Sequence, residues 1–145
     1  MGRRWSAWRE MPGHEKAMLL GLTLGLPVIS LMLRAVGFSR TLAWIERHSA
    51  ALPTKAPTSN DLASAERLAQ LVDIAGRHGP ISATCLRQSL LLHGLLRRRG
   101  LLPQLRIGVR RQEDGIDAHA WVELQGRPLG QAVMGHVALA RPAGA

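Results

Sequence analysis

Cys85 and His119 are the residues whose types and placement point most directly to chemistry. Cys85 is the only cysteine in the chain. It opens a leucine-rich stretch just behind Ser82 and Thr84, either of which suits a helix N-cap. A helix start aims unpaired N–H groups and about half a positive charge at whatever sits there, which favours a thiolate. The same N–H groups suit the oxyanion of an acyl transfer. His119 follows downstream in Asp117-Ala-His-Ala-Trp-Val-Glu123, a run that alternates like a strand. An imidazole facing that thiol takes its proton, the thiolate attacks a carbonyl, and the imidazolium then protonates the leaving amine. Residue types alone leave a second reading open, in which Cys85 is a small buried hydrophobe and His119 an ordinary strand residue.

The elements that must position this pair are legible from periodicity. Ser59, Asn60 and Asp61 offer N-caps for a helix carrying Leu62, Ala65, Leu68, Leu71, Val72 and Ala75 on one stripe. Gly76, Gly79 and Pro80 end it. The next helix spans Cys85 to Arg99, with leucines almost all round, and is expected to be central. Arg97 to Arg99 suit its last turn, and Gly100 stops it. After Pro103 the period becomes two. Leu105, Ile107 and Val109 form one strand, and Gln112 to Gly115 a polar turn. Ala118, Ala120, Val122 and Leu124 then alternate with His119, Trp121 and Glu123 in a second strand. Gln125 and Gly126 suit a tight hairpin turn before a third strand over Arg127–Val133. Helices followed by an antiparallel meander predict an α+β fold.

The rest of the chain sets limits. One cysteine excludes a disulfide framework and a thiolate zinc finger. The chain has 145 residues, enough for one modest core. A formal charge of +9 raises the question of nucleic acid. The aromatic residues are only Phe38 and Trp5, Trp8, Trp44 and Trp121, too few for a base-stacking platform, and nucleic acid is not an expected partner. Residues 1–50 read as a basic and apolar helical segment, 51–60 as a Pro/Thr/Ser-rich linker, and 61–145 as a compact domain of mixed periodicity. Within the first segment, Ala17–Leu33 is free of charge and flanked by Arg9, Lys16 and Arg34. As a helix it would span about 26 Å, a little short of a bilayer core of about 30 Å. Pro27 is expected to kink or split it. The stretch therefore reads as a membrane-spanning or membrane-lying helix, as a helix packed on the domain, or as a secretory signal without a small-x-small cleavage site.

Two runs, CLRQSLLLHGLLRRRGLLPQLRIGVRR and DAHAWVELQGRPLG, in this order, resemble the leader-peptidase B proteins of lasso-peptide biosynthesis. The resemblance covers roughly residues 60–135 and is closest to the stand-alone peptidase form. It implies a transglutaminase-like, papain-like cysteine protease core of the microcin-processing C-terminal domain type. It further implies that Cys85 is the nucleophile and His119 the general base that remove a leader from a ribosomally made precursor. The family commonly places an Asp twelve residues after the His, a position held here by Gln131. A Gln oxygen can accept an imidazole N–H and fix its tautomer, but it cannot neutralise imidazolium. Asp117, two residues from His119 on the same strand face, is the alternative third member.

The implied partners are a precursor peptide, a separate leader-recognition protein and a cyclase, with a membrane contact through residues 17–33 if that stretch meets lipid. The implied location is the cytoplasm, at the inner face of the membrane in that case. The chemistry calls for no cofactor and no metal. Two other functions fit the same residues: a transglutaminase-like acyl transfer to an amine, and a weakly catalytic or non-catalytic assembly protein that anchors a peptide-maturation complex.

Overall fold

The computed structural model describes residues 9–49, 54–78, 84–130 and 137–138. Helix α1 (Gly13–Val36) leads into α2 (Phe38–Ser49), and α3 (Ser59–His78) and α4 (Cys85–Arg98) follow. Strands β1 (Gln104–Gln112), β2 (Gly115–Leu124), β3 (Arg127–Pro128) and β4 (Val137–Ala138) form an antiparallel sheet in the order β3-β2-β1-β4. Helices packed on a small antiparallel sheet make the fold α+β, as the change of period predicts.

The β1–β2 hairpin runs in register from Gln104 opposite Glu123 to Gln112 opposite Gly115. Gln125 and Gly126 turn the chain into β3 with φ of 52° and 76°, the two left-handed residues that a tight primed hairpin loop requires. The third strand is described as Arg127–Pro128, and the Leu129 N–H continues its pairing by donating to the Val122 carbonyl at 2.9 Å. Its expected remainder, residues 131–133, lies outside the described residues, as do Ser82, Gly79 and Pro80.

Two helix ends show how local chemistry fixes the elements. The cap of α3 is Thr58, one residue before the three candidates. The Thr58 hydroxyl accepts from the Asp61 N–H at 3.2 Å, and the Asp61 carboxylate accepts from the Thr58 N–H at 2.9 Å. This reciprocal box satisfies two amides that the first turn leaves unpaired, which explains why it outcompetes a single cap at Ser59. At the end of α4, Gly100 adopts a φ of 80°. Its N–H donates to the Arg97 carbonyl, and the Leu101 N–H donates to the Leu96 carbonyl. That pair of bonds is a Schellman stop, with Leu96 and Leu101 buried together beneath it.

Helix α4 is central, touching α1, α2, α3 and β2. The core is formed by Leu68 and Leu71 of α3, Leu90 and Leu96 of α4, and Val122 and Leu124 of β2. Helix α1 belongs to the same core: Leu22 and Leu26 are only 3% and 2% exposed. The Arg67 guanidinium also grips the Glu15 carboxylate through two bonds of 2.9 and 2.8 Å, tying α1 to α3. Of the two outcomes expected at Pro27, a split does not occur: α1 is continuous through it. Proline removes one backbone bond, and the buried row on either side holds the helix together. The packed-helix reading of residues 17–33 therefore describes one face of α1.

Candidate active site

Cys85 is the first residue of α4 and is partly buried. Thr84 stands at the N-cap but its side chain makes no capping bond, so it does not compete for the amides of the first turn. Of the two expected caps, Thr84 occupies the N-cap position and Ser82 lies outside the described residues. Cys85, Gln88, Ser89 and Leu92 follow at i, i+3, i+4 and i+7. They form one stripe of the helix, and all four line a cavity of about 170 Å³. The opposite wall carries His119, Ala120, Trp121 and Val122 of β2, and α3 contributes Ala69, Val72 and Asp73. The two residues singled out by their chemistry thus line one cavity.

A buried hydrogen bond joins these two walls. The Ser89 hydroxyl donates to the Ala120 carbonyl at 3.0 Å, one helical turn from Cys85 and one residue from His119. On the third wall, Gln88 lies against Gly76 of α3, where a Cβ would collide with its side chain. The glycine allows α3 and α4 to approach with the amide between them.

The imidazole is held from its own strand. His119 pairs with Gly108 of β1, which presents no side chain against it. Two residues along, the Trp121 ring stacks with the imidazole at a centroid distance of 6.1 Å and 19° between planes. Trp121 is itself fixed, since its indole N–H donates to Glu123 at 3.0 Å and Arg106 donates to the other Glu123 oxygen at 3.1 Å. On the other side of His119, Asp117 pairs with Arg110 at 3.1 Å, directly across the hairpin. Asp117 therefore shares its negative charge with a guanidinium whatever else it orients. Gln131 lies outside the described residues.

Sequence reasoning missed the roles of Ser89, Gln88 and Trp121. The signal for the first two was two polar residues three and four positions after Cys85, in a helix otherwise read as apolar all round. Among the described residues, no three His, Cys, Asp or Glu side chains come together as metal ligands.

No curated protein and no solved structure matches the chain significantly. A family model for the transglutaminase-like superfamily matches residues 32–141. The match begins in the last turns of α1, well before the motifs at residues 60–135, so it covers α2 as well as the walls of the cavity. A match over that span makes this chain a member of the transglutaminase-like superfamily, which includes cysteine proteases and acyl transferases.

Proposed function

We propose that the chain is a cysteine peptidase that removes the leader from a ribosomally made lasso-peptide precursor. The observation that carries this reading is the single cavity lined by both the helix-start cysteine and the strand histidine. His119 takes the Cys85 proton, and the thiolate adds to the carbonyl carbon of the scissile peptide bond. The oxyanion so formed meets the first N–H groups of α4, at the positive end of the helix dipole. The imidazolium gives its proton to the departing amine, leaving an acyl thioester on Cys85. Water, deprotonated by His119, then releases the leader acid and regenerates the thiol.

The cavity is small beside pockets that enclose whole ligands, about 300–1,000 Å³, and suits a single stretch of chain laid across it. The lasso assignment rests on the motifs around Cys85 and His119. It implies a separate leader-recognition protein that delivers the precursor and a cyclase that uses the freed amine. The test is cleavage of a precursor peptide by the wild type and by Cys85→Ala, in the presence of the recognition partner. Cleavage by the wild type and none by the variant supports the reading. Equal cleavage by both removes Cys85 from the chemistry, and a wild type that cleaves only other peptides removes the lasso assignment.

A further inference from the structure

We infer that the exposed apolar face of α1 docks on an anionic lipid bilayer, with the helix lying along the surface and not crossing it. Lys16, Leu20, Leu24, Val28, Leu31 and Arg34 follow one another at intervals of three or four residues and so make one ridge along α1. The four apolar members are strongly exposed, Leu24 and Leu31 at 71% and 68%. A soluble surface seldom presents such a row, and apolar rows of this kind mark interaction sites.

The opposite face decides how α1 can meet the membrane. Leu19, Leu22, Leu26 and Ile29 are buried against the rest of the domain, so crossing a bilayer would strip α1 from its own core. Lying flat immerses the exposed ridge and keeps that core. The ends of the ridge decide the kind of surface. Lys16 and Arg34 bracket the apolar row, where long cationic side chains reach anionic headgroups while the leucines sit deeper. The next helix exposes Arg40, Trp44 and Arg47, and the chain as a whole carries +9. A second copy suits the ridge poorly. Antiparallel pairing would set Lys16 of one copy against Arg34 of the other, and parallel pairing would set like against like.

The experiment is flotation of the full chain with vesicles of phosphatidylcholine alone or mixed with phosphatidylglycerol. The chain should float with the anionic vesicles, less with the neutral ones, and be stripped by alkaline carbonate. Leu24→Gln with Leu31→Gln should lower the partition coefficient about tenfold or more, with the thermal midpoint unchanged because both side chains are already in solvent. Lys16→Glu with Arg34→Glu should abolish the preference for anionic vesicles. Failure to float with anionic vesicles, flotation unchanged in the glutamine variant, or resistance to carbonate would each overturn the inference. So would a lipid-free dimer that the same glutamine substitutions dissolve. None of these outcomes depends on peptidase activity.

Discussion

Ser89→Ala tests whether the cavity is assembled by the bond between α4 and β2. Ser89 is 7% exposed, and its hydroxyl partners the Ala120 carbonyl at 3.0 Å. Removing it deletes a buried hydrogen bond between the two walls, at a cost of about 1–3 kcal/mol. In a chain of this size that is a fall of about 3–10 °C in thermal midpoint. The functional effect is separate from the loss of stability. The bond lies one turn from Cys85 and next to His119, and a misplacement of about 1 Å between reacting groups can cost about a hundredfold in rate. Leader cleavage under single turnover, at a temperature where the variant is folded by circular dichroism, should slow by about ten- to a hundredfold. KM should change little, because Ser89 is a positioning residue. Wild-type stability together with a wild-type rate would refute the reasoning. A stability loss with an unchanged rate would leave Ser89 as packing alone.

Other perturbations have equally definite outcomes. His93 is buried on α4, its Nε2 lies 3.4 Å from Glu46, and its Nδ1 has no partner among the described residues. Burial holds its pKa below the ordinary value, against the opposing pull of Glu46. The unfolded chain then binds a proton that the folded chain refuses, so stability should fall as pH drops below about 6.5. Urea midpoints should show this decline in the wild type and a shallower one in His93→Leu. Leu26→Ala should cost about 2–5 kcal/mol in chemical denaturation if α1 is part of the core, and almost nothing if it is an appendage. Asp117→Asn should cost under about 1 kcal/mol, since its pair with Arg110 is part-exposed, and should leave cleavage intact. Gln131→Asp should extend cleavage to lower pH by stabilising imidazolium. The reverse pattern would make Asp117 the third member.

What the sequence disclosed was local, and what it withheld came from packing. Cys85 at a helix start and His119 on a strand are visible because capping and alternation act over a few residues. The Arg110–Asp117 pair was also within reach, since the Gln112–Gly115 turn sets the hairpin register. Thr58 escaped notice because Ser59, Asn60 and Asp61 are each good caps alone, and only the reciprocal geometry selects the residue before them. Whether Pro27 splits its helix depends on the buried row on either side, which offsets the proline's local cost and is not visible in a window of a few residues. The apolar stretch 17–33 looked like a choice between membrane and core. It has two apolar faces, one buried and one exposed, and average hydropathy cannot separate them. Ser89 and Gln88 were hidden among leucines that point in every direction from a central helix.

The most direct test of the Cys85–His119 pair is the rate of thiol alkylation, read by intact mass near neutral pH. Cys85 is the only cysteine, so a single adduct reports it without mapping. If His119 takes the thiol proton within the shared cavity, iodoacetamide should label the wild type about tenfold or more faster than folded His119→Ala. Equal labelling rates in the two proteins would mean that the imidazole does not act on the thiol, and would contradict the account.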